Sequence, residues 1–520
     1  MKTSLGRLAL SVISIFVFSL ILAAQDLDDV TIFGKLTDAN GLAIAGATVT
    51  ASNVETGALR SVTTDDNGQY RIVKLKPGTY KVKAEGSGFG AQETAPLPTI
   101  SAQNLQLDFK LNPADVRAEQ TVTVTEDDAP AVDTTRTIVG GTVTEREIEE
   151  LPNNSRNALD LVLTLGGTSE EALSTRDLAD DKNDTSSRST PLEQGNFSIS
   201  GGASYSNNIT IDGLDNNDDL TARDRFQPSL ESIAEVQVIR NQFSAEYGRA
   251  SGGRVNIRTK SGTNKLRGRA FMFFRDDNLN ANSFYNNSNG FARTPMTDYD
   301  PGITLGGPVV IPGIYDGHNR TFFFAAYEYD NFKDTTFIDT YVPVVPNPHF
   351  VLPDPNGTGQ FCDNANPNAC TNTPPTAGFV SPYTNFYLTP NVGHIFTARI
   401  DHRLYEGNDL TFGWQLGRRK NRRTRGASTT RIEDALQAKN IDTDAFNLTD
   451  NQVFGANVVN QVRFQWSKYE PAYQTDDPLA PVVLIGYRNP RTNGVQTLIA
   501  GNSTASSLQD FASSRKETRY

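Results

Sequence analysis

Residues 247–264 read YGRASGGRVNIRTKSGTN, and the fold turns on how this stretch is understood. Gly248 and Gly253 stand at the spacing of a phosphate-binding loop, yet Arg254 and Val255 come next. Such a loop needs a Lys for the terminal phosphates and a Ser or Thr hydroxyl for magnesium. It must also run from a strand into a helix, whose N-terminal amides hold the anion. Here the glycines lead into RVNIRTK, where Val255, Ile257 and Thr259 alternate with Asn256, Arg258 and Lys260. That period of two predicts a strand, not a helix. Gly248, Gly252 and Gly253 are therefore read as tight backbone corners. SGTN (261–264) then carries the chain out of this strand and into the next region.

From Lys265 onward the chain is strand after strand. Phe396, Ala398 and Ile400 alternate with Thr397, Arg399 and Asp401. Leu410, Phe412, Trp414 and Leu416 alternate with polar residues and Gly413, and Val462, Phe464 and Trp466 repeat the pattern. One face is apolar and aromatic, the other polar. A soluble sandwich would bury the apolar face, whereas a transmembrane barrel would turn it to lipid and leave a wet lumen. Loop lengths favour the barrel. The short turn YEGN (405–408) contrasts with a long excursion from about Pro343 to Gly393. Short turns at one end and long loops at the other belong to outer-membrane barrels, and a structureless loop that long is foreign to a compact soluble domain.

Upstream, residues 138–262 read as an α+β domain. TEREIEELPNNSRNALDLVLTLGG carries a helical pattern through Leu159, Leu161, Val162 and Leu165, with Asn154 or Ser155 as N-cap. The polar run Thr168 to Gly195 has few apolar anchors and reads as mobile. In IDGLDNNDD (211–219), Asp215, Asn217 and Asp219 match the first ligands of an EF-hand, but Leu220 and Phe226 replace its Gly and distal Glu. A solvated corner at Asp212 and Gly213 is expected there, and no metal. Residues 112–137 form a polar linker containing TVTVT, a β-branched stretch able to add to a sheet edge. Residues 30–111 alternate over several short runs, with Asp66-Asn67-Gly68 and Pro77-Gly78 as turns. They read as a small β-sandwich.

Composition narrows the function. A net charge of -12 and a pI near 5.0 argue against nucleic acid as a partner. Lys2 and Arg7 precede an apolar run ending at Ala23-Ala24, which reads as an export signal over residues 1–24. In an exported chain, Cys362 and Cys370, the only two cysteines, are expected to form a disulfide. The four histidines are scattered, and no acid–base or nucleophile set converges. No enzyme activity and no cofactor are expected.

Two resemblances then emerge. The order AGATV, TTDDNGQYR, LKPGTY and GF resembles the carboxypeptidase regulatory-like domain, a transthyretin-like sandwich, which implies a structural or interaction module. LPNNSRNALDLVLTLGG, NFSISGG, NNITIDGLDNND, IAEVQVIRNQFSAEYGRASGGRVNIRTKSGTN and GGPVVIP resemble TonB-dependent outer-membrane receptors, the Oar-like group above all. The resemblance implies a mostly β chain: a sandwich at 30–111, a linker at 112–137, an α+β plug at 138–262, and the first part of an antiparallel transmembrane β-barrel at 263–520. It implies energy-coupled uptake of a large or scarce ligand, such as a peptide or glycan, with TonB as partner and the sandwich in the periplasm. Thr121, Val122, Thr123, Val124 and Thr125 lie where a TonB-contacting segment is expected. A plugged transporter has about 22 strands. The chain after the plug has room for about 8–12 at the usual strand length, so a barrel truncated at its C-terminal side is expected. In RRKNRRTR (418–425), Arg418, Arg419, Arg422 and Arg423 are candidate contacts for lipopolysaccharide phosphates at the outer-membrane lipid surface. The alternative is a non-transporting surface protein, an adhesin or binding module built from β-domains.

Overall fold

The computed structural model describes residues 28–113, 121–122, 139–153, 156–170, 197–219, 224–240, 248–343, 361–363, 366–371, 380–423, 437–455, 458–475, 482–491, 493–501 and 516–519. The export signal and most of the polar run after Thr168 fall outside them. The chain divides into two compact units, a sandwich and a plug with its barrel wall.

The sandwich strands are β1 (Val30–Asp38), β2 (Thr48–Asn53), β3 (Leu59–Thr63), β4 (Gln69–Leu75), β5 (Gly78–Glu85), β6 (Gln92–Thr94), β7 (Leu97–Thr99), β8 (Asn104–Gln106) and β9 (Phe109–Leu111). β4, β1 and β8 form one sheet, with β9 also on β1. The facing sheet runs β6-β5-β2-β3, with β7 on β5. Alternation places Val30, Ile32, Leu36, Val49, Tyr70, Ile72, Val82 and Phe109 in one core. Gly68 has φ +71°, the left-handed value that the Asn-Gly turn requires, and Asp65 Oδ1 accepts from the Asn67 and Gln69 amides. Tyr70 Oη donates to Leu107 O at 2.7 Å inside this core. Burial, and then the Asp108 carboxylate, push its phenol well above the usual tyrosine range. A two-residue strand, β10 (Thr121–Val122), adds in parallel to β6, pairing Thr121 with Glu93 and Val122 with Thr94.

The plug begins with β11 (Val139–Thr144), which leads into α1 (Glu145–Glu150) through a capping box: the Thr144 and Glu147 side chains each serve the other's backbone amide. The helix expected around Leu159 is a 3₁₀ segment, Ala158–Thr164. Its N-cap is Asn157, whose side chain accepts from the Leu159 amide, not Asn154 or Ser155, which lie outside the described residues. Leu159, Leu161 and Val162 are all buried: at three residues per turn Leu159 and Val162 eclipse and Leu161 lies about 120° away, a narrower arc than an α-helix would give them. The next strands are β12 (Thr168–Glu170), β13 (Phe197–Ile199), β14 (Asn208–Ile211), β15 (Leu214–Asp215), β16 (Ile233–Arg240) and β17 (Gly253–Thr259). The main sheet has the order β11-β16-β17-β14-β15. RVNIRTK is thus the central strand, antiparallel to β16 and parallel to β14. No helix comes after its glycines, so no phosphate loop exists.

The glycines serve a different end from the one expected. None of Gly248, Gly252 and Gly253 has positive φ. A Cβ on Gly253 would meet Ile199 Cγ2 at 2.7 Å and Ile239 O at 2.8 Å, and one on Gly252 would meet Asn207 Oδ1 at 2.4 Å. These two permit close packing of neighbouring strands, while Gly248 has open space. Positive φ falls instead on Arg249, at +57°, and on the Asp212-Gly213 corner, at +50° and +80°.

The barrel wall comprises β18 (Arg267–Asp276), α2 (Phe284–Asn289) in the loop after it, β19 (Thr297–Pro308), the hairpin β20 (Val310–Ile311) and β21 (Tyr315–Asp316), β22 (Thr321–Pro343), the hairpin β23 (Phe361–Asp363) and β24 (Asn366–Thr371), β25 (Val380–Tyr405), β26 (Asn408–Arg423), β27 (Gln437–Phe454), β28 (Val458–Thr475), the hairpin β29 (Val482–Arg488) and β30 (Val495–Gly501), and β31 (Glu517–Arg519). One antiparallel sheet runs β18-β19-β22-β25-β26-β27-β28-β31. Among the described residues β18 and β31 do not pair, so the wall is open. No described helix is long and apolar enough to cross a membrane.

Candidate functional site

Register across the wall separates two faces. Ala325, Ala398, Trp414, Phe446 and Trp466 pair in one row, and Phe323, Ile400, Phe412, Leu448 and Phe464 in the next. Ring centroids in this belt lie 5.1 Å apart for Phe396–Trp414, 5.8 Å for Trp414–Phe446 and 5.6 Å for Phe446–Trp466. Neighbouring side chains point the other way. There Glu328, Asp330, Arg399, Arg419, Gln465 and Ser467 are buried or half-buried on the side that holds the plug. The apolar belt is the lipid face and the polar one the lumen.

The plug meets the lumen through charge and hydrogen bonds. Arg156, with φ +55°, inserts its guanidinium among Glu328 (3.1 Å), Asp300 (3.7 Å) and the plug's own Glu231 (4.0 Å), and lies 3.7 Å from the Phe273 ring centroid. Ser229 Oγ also donates to Glu328. Arg399 holds Asp401 through two bonds and donates to Asp212 Oδ1 at 3.3 Å and Thr259 O at 3.2 Å. Asp212 in turn accepts from Thr259 N at 2.9 Å and Thr259 Oγ1 at 2.7 Å, so the left-handed corner caps the end of β17. Arg225 bridges Asp215 and Ser467, at 2.9 Å each. Gln465 Nε2 donates to Asp215 O and Thr443 Oγ1 to Arg225 O.

The acidic run at 211–219 is therefore no solvated corner. Asp215 is held by Arg225 and reached by Arg249, which also meets Asp219 at 3.3 Å. Asn217 is buried, accepting from the Ile209 amide and donating to Asn208 Oδ1. A second acidic group sits on the lumen face of β19 and β22. Asp298, Asp300 and Asp330 bring carboxylate oxygens within 4.8 Å of one another, a spacing that could hold a cation. Arginines already surround it: Arg275 on Asp298, Arg419 on Asp330 and Arg156 on Asp300. Their guanidinium groups supply the counter-charge a metal would bring.

The candidate residues read from sequence are scattered over the molecule. Thr121 and Val122 form β10 on the sandwich edge, and Thr123, Val124 and Thr125 lie outside the described residues. Cys362 and Cys370 stand directly opposite in the β23–β24 register. The arginine run does not present one face. Arg418 lies on the lipid side, held by Asp444 at 2.8 Å, whereas Arg419 points into the lumen onto Asp330. The backbones of Arg422 and Arg423 close β26, and their side chains lie outside the described set. Sequence reading missed Arg156, Arg399 and the Asp298–Asp330 group. Their one signal was the period-two pairs DYD (298–300) and EYD (328–330), which put two acids on the same face.

A globular plug tied to the polar face of an antiparallel wall with an aromatic outer belt defines a plugged outer-membrane β-barrel protein. Comparison with known families agrees. Residues 31–112 match the carboxypeptidase regulatory-like domain, residues 133–254 the TonB-dependent receptor plug domain, and residues 258–520 an outer membrane β-barrel domain. The chain belongs to the TonB-dependent receptors of the outer membrane, in their Oar-like branch. It is 26% identical over 287 residues to the TonB-dependent transporter Oar of Myxococcus xanthus, covering 54% of this chain and 25% of that protein. Among solved structures, the outer membrane transporter YddB of Escherichia coli is similar at TM-score 0.46 and 12% identity, over 70% of this chain and 43% of that one. The ferric enterobactin receptor of Pseudomonas aeruginosa is similar at TM-score 0.40 and 13% identity, over 70% and 45%. The chain thus spans about a quarter of the curated relative and under half of these structures.

Proposed function

We propose that the protein imports a large or scarce ligand, of peptide or glycan class, across the outer membrane, using work delivered by TonB to release the plug. The observation that supports this most is the character of the plug–wall contact. Beside the apolar contact of Ile395 with the plug core, it is carried by ion pairs and hydrogen bonds through Arg156, Arg225 and Arg399, which water can replace when the plug moves. An immovable stopper would be better served by an apolar interface, which nothing replaces cheaply. In this reading the sandwich stands in the periplasm, and Thr121–Thr125 is the strand that TonB takes up by edge addition. Thr121 and Val122 pair with β6 on one side and end their sheet, so the outer edge of β10 is the side offered for such addition. Cys362 and Cys370, opposite each other in their hairpin, join as a disulfide after export.

The test is binding of the protein, folded in detergent, to the periplasmic domain of TonB. Deleting residues 119–125 is expected to abolish binding while heat-modifiable migration persists. Retained binding places the contact elsewhere. A folded protein with no affinity for TonB, deleted or not, refutes energy coupling in favour of a surface binding or adhesion role.

A further inference from the structure

The seat that Arg156 occupies is built mainly by the wall. Phe271 and Phe273 stand two residues apart on β18, so their rings share one face of that strand. Register sets Phe271, Gly302 and Glu328 in one row across β18, β19 and β22, with Phe273 opposite Asp300 in the next row on the same face. Gly302 lets the Phe271 ring lie across its row, because a Cβ there would meet the ring Cζ at 2.1 Å. The result is a socket of two carboxylates and two phenyl rings. Arg156 shows what fits it. Its Nε and Nη2 donate to the two oxygens of Glu328 at 3.4 and 3.1 Å, and Asp300 lies 3.7 Å from Nε. The guanidinium carbon is 3.7 Å from the Phe273 ring centroid and 5.6 Å from that of Phe271. Paired donors on one carboxylate and a flat cation over a ring suit a guanidinium; an ammonium would bring the charge without the fork.

Arg156 is a poor permanent occupant. Its φ of +55° is left-handed, an unfavourable backbone for a residue with a side chain. When the plug withdraws, Arg156 and Ser229 leave with it, whereas Glu328 and Asp300 stay on the wall. Arg275 and Arg419 remain committed to Asp298 and Asp330. Carboxylates stripped of a partner in a confined passage are unfavourable, so the emptied socket draws in a cation. One acceptor is open even at rest: Asp298 is only 4% exposed, and its Oδ1 takes no hydrogen bond among the described residues. We propose that this socket is a guanidinium-binding station in the import passage, filled at rest by Arg156 and taken in transit by arginine side chains of a peptide ligand. The inference rests on the import reading and sharpens it, because acids and phenyl rings select a cationic peptide over a neutral glycan.

Arg156→Gly empties the seat and suits its backbone. The whole chain carrying it, folded in detergent, is titrated with N-acetyl-arginine amide, and binding is read from the rise in thermal midpoint. It should bind this probe about tenfold or more tighter than the neutral isostere N-acetyl-citrulline amide, the difference of one charge-assisted contact. The wild-type chain, its seat filled, should show no such preference, and adding Glu328→Gln to the variant should remove it. Equal binding of the two amides by Arg156→Gly, or a preference that survives Glu328→Gln, overturns the socket. N-acetyl-lysine amide binding as tightly as the arginine probe overturns the guanidinium assignment. Transit is tested in cells, where uptake from a mixed peptide pool is followed with and without TonB, before and after its arginines are converted to citrulline. Arginine peptides should enter about tenfold faster than their citrulline forms through the wild-type protein, and at equal rates through Glu328→Gln. Equal rates through the wild type overturn the transit role. Entry of neither form overturns the import reading instead, and the detergent titration, which needs no transport, keeps the two failures distinguishable.

Discussion

The protein has two tryptophans, and both lie on the outward belt, which makes its membrane geometry directly measurable. Trp414 on β26 and Trp466 on β28 flank Phe446 on β27 in one register row. Two strand spacings of about 4.8 Å put them about 9.6 Å apart along that row. The row is perpendicular to the strands, so a strand tilt of about 40° makes it climb through the bilayer. The climb is about 9.6 Å times the sine of the tilt, or about 6 Å of depth between the two indoles. Trp414→Phe and Trp466→Phe leave one indole each, and aromatic-for-aromatic exchange on this half-exposed face should cost under about 1.5 kcal/mol. Each variant is reconstituted in bilayers brominated at two acyl positions, and the quenching ratio reports depth. Both indoles should be quenched, with depths differing by about 6 Å given that tilt. Absence of quenching would place the belt in water and refute the barrel. A depth difference under about 2 Å would require strands nearly parallel to the normal, which a barrel wall does not allow.

Two more outcomes concern buried groups. Arg156→Ala leaves Glu328 and Asp300 facing the plug without their guanidinium partner. Breaking one side of such a buried set costs about 3–5 kcal/mol, so the plug should become protease-sensitive at lower urea; an unchanged urea dependence would show that the pairs are not holding it. Tyr70 gives a pH dependence in the sandwich, where its neutral phenol is favoured by burial. Its folded value is raised, so its stabilising contribution is complete below the unfolded value of about 10 and is lost as pH climbs above it. Alkaline melting of the protein should therefore show a loss above about pH 10 that is smaller in Tyr70→Phe. An identical loss in both would assign it to other groups.

Periodicity carried most of the architecture. RVNIRTK could be read as a strand because a period of two is a local property, and the outward belt was visible in Phe412, Trp414 and Leu416 for the same reason. Helix type was not legible: Leu159, Leu161 and Val162 suit either a 3₁₀ or an α segment, and only the packing around Asn157 decides. The function of Gly252 and Gly253 was half legible. Absence of a side chain marks a special backbone position, but whether it grants positive φ or close approach depends on Ile199 and Asn207, distant in sequence. The charged network was hidden altogether. Arg156 and Glu328 are 172 residues apart and Arg399 and Asp212 are 187 apart, and no local rule links them. The run RRKNRRTR misled for a related reason: consecutive arginines on a strand face opposite ways, so a cluster in sequence is divided between lumen and lipid.

The position of RVNIRTK also sets how the plug would respond to force. Its first strand, β11, lies at the edge of the plug sheet, while its last, β17, is interior and fastened where it leaves for the wall, through Thr259 and Arg399. A load arriving from the N-terminal side meets the outermost, least-supported strand first, and the clamped strand last. The plug is thus mechanically graded, with a yielding end and an anchored end. A pull of limited length would open a passage by unravelling the near side and leave the anchored remainder as a template on which the sheet re-forms.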